Sequence, residues 1–174
     1  TGPGPMLTLG LDPSLRAYGW AIYDNDASPR GRLVASGHEG TINSIVPVAR
    51  FMHFRALVQH LLTQFNVGSV GIESPAYGGG PFSETHFGLM MFSLEAIFER
   101  RLDCVLYDPS TLKYLAKMDP KSHRGIMGKM DMQKFVMVDT ASSKVIDNNE
   151  ADAYCVAKFS SRLVELTNGN LDPS

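Results

Sequence analysis

The stretch Leu7-Thr8-Leu9-Gly10-Leu11-Asp12-Pro13-Ser14 decides the architecture. Alternate residues of a strand share a face. Leu7, Leu9 and Leu11 therefore point one way, and Thr8, Gly10 and Asp12 the other. Val70-Gly71-Ile72-Glu73 repeats the pattern, with Val70 and Ile72 on one face and Gly71 and Glu73 on the other. Each segment is an apolar strand ending in a carboxylate, with a glycine two residues before it. A carboxylate at the end of a buried strand is costly unless paired or bound to a cation. Two such acids suggest a shared cation, although either alone also reads as a cap on the turn that follows, as Asp12-Pro13-Ser14 allows.

Working outward, 6–13, 18–23 and 33–42 read as three strands with no helix between them, which favours an antiparallel meander. The period then changes. Phe51, Phe54, Val58, Leu61 and Phe65 recur at spacings of three and four, so 44–65 is expected to be an amphipathic helix. A buried strand follows at 67–73, a Gly/Pro-rich loop at 74–81, a helix at 84–101, a strand at 103–107 and a short helix at 110–117. Residues 118–128 read as a loop, and 130–141 and 149–166 as helices. This order predicts an α/β fold, a mixed five-stranded sheet flanked by helices.

A third acid lies on the last helix. At 100° per residue, Cys155, Val156, Phe159 and Leu163 fall within about 60° of Asp152, so Asp152 sits on the apolar stripe of that helix. Asn149, three residues earlier, shares this face, and Glu150 projects to the opposite side. Asp147 and Glu150 have the D-x-x-E spacing of an N-terminal cap. Three inward carboxylates from distant segments suit Mg²⁺ or Mn²⁺, hard cations that take oxygen ligands. Two such ions about 3.5–4 Å apart support in-line phosphodiester hydrolysis. No Ser/His/Asp or Cys/His arrangement competes, and His38, His53, His60, His86 and His123 are scattered.

Composition sets the bounds. The chain has 174 residues, 44% apolar and 20% charged, enough for the core of one domain. Thr1-Gly2-Pro3-Gly4-Pro5 reads as a cloning remnant ahead of a native Met6, leaving 6–174 as a single domain. Cys104 and Cys155 form no CxxC pair, which argues against a zinc site or disulfide framework and for a reducing compartment. No transmembrane run or signal peptide is read, and a cytoplasmic protein without a membrane partner is expected. The net charge of −2 argues mildly against a nucleic-acid partner, but its distribution does not. Residues 100–134 carry eight of the 16 basic residues (Arg100, Arg101, Lys113, Lys117, Lys121, Arg124, Lys129 and Lys134) against Asp103, Asp108, Asp119 and Asp131. That excess of four suits phosphate contacts.

Taken together, Gly10-Leu11-Asp12-Pro13-Ser14 with Gly19-Trp20-Ala21, Ile72-Glu73-Ser74-Pro75, and Glu150-Ala151-Asp152-Ala153 resemble the RuvC family of Holliday-junction resolvases, most nearly its phage-type branch. The resemblance runs over essentially the whole chain after Met6, with the motifs in order. It implies an RNase H-like fold, a homodimer acting in a bacterial cell or a phage host, and Mg²⁺-dependent paired cleavage of four-way DNA junctions, with Mn²⁺ able to substitute. By this resemblance Asp12, Glu73 and Asp152 match three of the four metal-site acids, and Asn149 stands where the fourth is expected. Asn149 can offer its carbonyl oxygen but no charge. Alternatively Glu150 or Asp147 substitutes, or an acid was replaced. The resemblance also implies that Lys129 approaches the scissile phosphate, and that an aromatic of the loop Tyr77-Gly78-Gly79-Gly80-Pro81-Phe82 wedges against bases at the crossover.

Tyr77, Phe82, Lys113, Lys117, Lys121, Arg124, Lys129 and Lys134 are the expected DNA contacts. The helix at 84–101 is apolar nearly all round, which predicts a second buried side and places a two-fold dimer contact there. The expected function is a metal-dependent endonuclease for branched DNA. The alternatives are a related RNase H-like nuclease and a non-cleaving junction-binding module whose metal site Asn149 has weakened.

Overall fold

A computed structural model describes residues 6–14, 17–26, 32–40, 47–74, 83–119, 131–144 and 146–167. The chain runs β1 (Leu7–Asp12), β2 (Ala17–Asp24), β3 (Arg32–Gly40), α1 (Pro47–Gln64), β4 (Ser69–Glu73), α2 (Ser83–Glu99), β5 (Cys104–Tyr107), α3 (Pro109–Met118), α4 (Met132–Thr140) and α5 (Asn148–Thr167). The sheet order is β3-β2-β1-β4-β5. β1, β2 and β3 pair antiparallel, and β4 and β5 join parallel to β1. The mixed five-stranded sheet expected from the strand and helix order is therefore present. The amphipathic helix expected from residue 44 is α1, and 41–46 lie outside the described residues.

Strand alternation assigns the two faces as the sequence predicts. On one face Leu9, Leu11, Tyr18, Ile22, Val70 and Ile72 pack against Phe54, Val58, Leu61 and Leu62 of α1 and Leu89, Leu94 and Ile97 of α2. Tyr18 stacks on Phe54 at 5.0 Å between ring centroids, and its hydroxyl is hydrogen-bonded to Ser93 Oγ at 2.5 Å. On the other face Ala21, Tyr23 and Tyr107 pack against α3, α4 and α5. Stripe reasoning understates α5. Every residue from Ala153 to Ser161 is buried, including Lys158, while Leu163 at the end of the expected stripe is exposed. The helix lies between the sheet and two further helices, so it has no solvent side along this stretch.

Gly10, Gly19 and Gly71 allow α5 to lie against the sheet. A Cβ at Gly10 would meet the Ala153 carbonyl oxygen at 2.1 Å and the Ala157 nitrogen at 2.5 Å. One at Gly19 would stand 2.2 Å from the Asn149 carbonyl oxygen, and one at Gly71 2.0 Å from Ser160 Oγ. Gly10 and Gly71 are register partners on neighbouring strands. The small residues Ala151, Ala153 and Ala157 complete the contact from the helix side.

Because the atoms blocking Gly10 are backbone, no rotamer change relieves the clash. Gly10→Ala is expected to cost about 3 kcal/mol or more, lowering the melting temperature by roughly 6–12 °C. Gly40→Ala, where a Cβ meets nothing within 4 Å, is the control and should change it little. Thermal unfolding followed by circular dichroism makes the comparison.

Candidate metal centre

Three elements each deliver one carboxylate to the same end of the sheet. Asp12 closes β1, Glu73 closes β4, and Asp152 lies in the first turns of α5. One oxygen from each lies within 4.8 Å of the others. The chain after Glu73 is held in place by Tyr107 on β5, whose carbonyl accepts from the Ser74 N–H at 2.7 Å. Asp152 is brought in by the close seating of α5, since Gly19, the register partner of Asp12, packs directly beneath Asn149.

Burial and like charge act together on these groups. Burial, then the charges of Glu73 and Asp152, raises Asp12 well above the usual carboxyl range, and a hydrogen bond with Glu73 favours its protonated form. Glu73 is pushed up to about 7, by burial first and then by Asp152, with the Lys113 ammonium opposing. Asp152 is pushed up to about 6 by burial, again opposed by Lys113 and reinforced by Asp147. Glu73 Oε2 is buried with no hydrogen-bond partner. An orphaned carboxylate oxygen beside two further carboxylates is an oxygen-only donor set of high negative charge, which fits Mg²⁺ or Mn²⁺ and not a soft or nitrogen-preferring ion.

The acids around Asn149 take separate roles. Asp147 caps α5, its Oδ1 accepting from the Asn149 N–H at 2.8 Å, and its charge also bears on Asp12 and Asp152. Glu150 does not complete the expected capping box. It reaches across to β3, where Oε1 is hydrogen-bonded to His38 Nδ1 at 2.6 Å and Oε2 accepts from Ser36 Oγ at 3.0 Å. An exposed strand edge with two polar partners outcompetes the backbone N–H at the helix start. Glu150 is thereby turned away from the carboxylate cluster, and the further acids whose charge reaches it are Asp147, acting on Asp12 and Asp152, and Asp108, acting on Glu73.

The expected DNA contacts divide. Lys113, on the exposed side of α3, is close enough to lower both Glu73 and Asp152. Lys117 follows one turn later and is also exposed. Lys134 is exposed on α4, 4.0 Å from Asp131. Tyr77, Phe82, Lys121, Arg124 and Lys129 lie outside the described residues. Three of the four acids in the basic segment have structural partners: Asp108 caps α3, Asp131 caps α4, and Asp119 pairs with the buried Lys158. Sequence reasoning missed Lys158, because an isolated lysine on an apolar helix carries no signal of its partners.

Two structures of Thermus thermophilus RuvC, one in complex with a Holliday junction substrate, superpose with a TM-score of 0.72 at 18% identity. The match covers 97% of this chain and 99% and 100% of theirs. The yeast mitochondrial Holliday junction resolvase superposes with a TM-score of 0.66 at 11% identity, over 94% of this chain and 82% of that one. The chain has the RNase H-like fold of these proteins. No protein-family model and no curated protein matches the sequence.

The raised carboxyls make stability depend on pH. The folded protein holds protons that the unfolded chain releases. The stabilisation is therefore complete below the ordinary carboxyl values near 4 and is lost as pH rises through the folded values of about 6 and 7. In EDTA the melting temperature should fall between pH 5 and pH 8. Asp152→Asn, which at pH 8 removes a negative charge from beside Asp12 and Glu73, should raise it by roughly 3–6 °C, corresponding to about 1–2 kcal/mol. Mn²⁺ competes with the same protons, so calorimetric titration should show affinity rising across pH 5.5–7.5 with proton release. A pH-independent Mn²⁺ affinity would contradict this arrangement.

Proposed function

We propose that this chain is a divalent-metal-dependent endodeoxyribonuclease that resolves four-way DNA junctions by paired phosphodiester hydrolysis. The observation that carries the reading is the convergence of Asp12, Glu73 and Asp152 at the ends of β1, β4 and α5, on the fold shared with RuvC. The Thermus thermophilus protein is described with a Holliday junction substrate, and the yeast protein is named for resolving one. The separation of charge along this chain favours the same class of substrate, with acids converging at the site and basic residues gathered in 100–134.

In this reading Asp12, Glu73 and Asp152 hold the metal, with the Asn149 amide oxygen as a neutral further ligand. A bound Mg²⁺ or Mn²⁺ supplies Lewis-acid polarisation of the phosphodiester and a lowered pKa for a coordinated water. The buried carboxylates restrict water around the reacting phosphate. Lys113, whose charge already acts on Glu73 and Asp152, meets the phosphate nearest the acids. Lys129 is assigned the charge that develops on the scissile phosphate. Lys117, Lys121, Arg124 and Lys134 contact neighbouring phosphates, and Tyr77 and Phe82 stack on bases at the crossover.

One carboxylate cluster cuts one strand, so paired cleavage needs two copies. Phe87, Met91 and Phe98 form one exposed apolar stripe on α2, each about half exposed or more at 52%, 47% and 58%. Their spacings of four and seven keep them within about 40° of one another. The other side of α2 is already occupied by α1 and the sheet, through Phe51 against Phe92 and through Leu89, Leu94 and Ile97. The stripe is the surface for a second copy of the chain, placing two metal centres on one junction.

The test is a labelled four-way junction, a fork, a flap and linear duplex incubated with Mg²⁺ or Mn²⁺. Symmetric nicks in opposing junction strands are expected. Asp152→Asn should lower cleavage by about 10³-fold or more, while junction binding in Ca²⁺ changes less than about threefold. Lys129→Ala should lower cleavage far more than binding. Binding without cleavage, unrestored by Asn149→Asp, would establish instead a junction-binding module. Light scattering should give twice the 19.1 kDa chain mass, reduced to the monomer by Met91→Glu with Phe98→Glu. A wild-type monomer at working concentration would overturn the dimer.

A further inference from the structure

A second charged cluster lies on the far side of α5 and takes no part in the chemistry above. Lys158 is buried, its side chain 4% exposed. Its Nζ donates to Asp139 Oδ1 at 2.7 Å and Asp119 Oδ2 at 3.3 Å, and sits 5.5 Å from the centroid of the Phe135 ring. Asp119 and Asp139 are equally buried, and Tyr154, one turn before Lys158, donates its hydroxyl to Asp139. The ammonium has three donors, and two carboxylates and an aromatic face meet it.

The members of this cluster come from three elements. Asp119 is the residue at which α3 ends, its N–H donating to the Ala116 carbonyl. Asp139 and Phe135 belong to α4, and Lys158 and Tyr154 to α5. A buried ion cluster offers little stability over an apolar replacement, but it demands one relative placement of its members. That placement matters for α3. The helix has ten residues and buries only Leu112 and Ala116, so apolar packing alone defines its position weakly. Yet α3 starts two residues after Tyr107, the register partner of Glu73, and so brings Lys113 to the end of the sheet that holds the carboxylates, where its charge acts on Glu73 and Asp152. Asp152 itself stands on α5, the helix that carries Lys158. The ion cluster thus ties the element bearing Lys113 to the element bearing Asp152.

We propose that Lys158 is a positioning residue that, through Asp119, holds α3 so that Lys113 stands beside the carboxylate cluster. The inference rests on the reading of that cluster as a nuclease metal centre. A misplacement on the order of 1 Å in a reacting site costs up to about 10²-fold in rate, so the cluster acts on turnover without touching DNA.

A double-mutant cycle tests it with two readouts: junction cleavage under single-turnover conditions, and Mn²⁺ affinity by calorimetry. Lys158→Met is expected to lower cleavage by about tenfold or more, with junction binding changed less than about threefold. In a Lys113→Ala background the same substitution should change cleavage less than about threefold, because its effect runs through Lys113. Lys113→Ala should strengthen Mn²⁺ binding severalfold by removing a nearby positive charge. Lys158→Met should do the same alone and nothing further in that background. Asp119→Ala, which leaves Lys158 paired with Asp139, repeats the cycle should Lys158→Met fail to fold. Equal factors in both backgrounds, for both readouts, would reduce the cluster to a structural brace and overturn the proposal. If the wild-type protein cuts no junction with either metal, the nuclease reading fails, and the Mn²⁺ half of the cycle still decides the positioning role.

Discussion

The seating of α5 directly on the sheet is the constraint on which the rest depends. Helix backbone meets strand backbone at Gly10 and Gly19, with no side chain between them. A helix normally stands off a sheet by the depth of the intervening side chains, near 10 Å. Here the separation is closed by glycines on the strands and Ala151, Ala153 and Ala157 on the helix. The consequence is chemical. Only a helix this close can bring Asp152 within carboxylate-to-carboxylate distance of Asp12 and Glu73, which already sit on neighbouring parallel strands.

That convergence is unfavourable on its own. Three carboxylates at this distance and burial resist ionisation, as the raised values of Asp12, Glu73 and Asp152 show. The core on the opposite face of the sheet, built on Leu9, Leu11, Tyr18, Val70 and Ile72, offsets the cost. The same alternation that puts leucines into that core puts Asp12 toward α5. Stability and function are thus divided between the two faces of one strand.

Charge is sorted elsewhere in the molecule by the same rule, that a buried charge needs a partner. Asp119 and Asp139 share the Lys158 ammonium and Glu150 is occupied by His38 and Ser36, while the exposed Asp108 and half-buried Asp131 cap helix starts. The basic side chains Lys113, Lys117 and Lys134 remain on the exposed sides of α3 and α4. A chain with a net charge of −2 can therefore gather exposed basic residues on α3 and α4, because many of its acids are engaged at helix caps, in the ion cluster or in the cluster of Asp12, Glu73 and Asp152.

The sequence by itself determined the element order, the mixed sheet and the facing of Asp12 and Glu73. These follow from local periodicity and from glycines two residues before each acid, both readable without knowing any distance. It also carried Asp152, since an acid on an apolar stripe needs a partner. Tertiary structure alone decided what depends on distances between remote segments. The D-x-x-E spacing of Asp147 and Glu150 is equally consistent with a capping box, and only the proximity of β3 turned Glu150 toward His38. Lys158 reads as one lysine on the last helix until α3 and α4 close over it. Lys113 stood among eight basic residues with nothing to separate it from the others, and the docking of α3 singled it out. Periodicity encodes which way a residue faces; what it meets there is set by how elements far apart in the chain pack together.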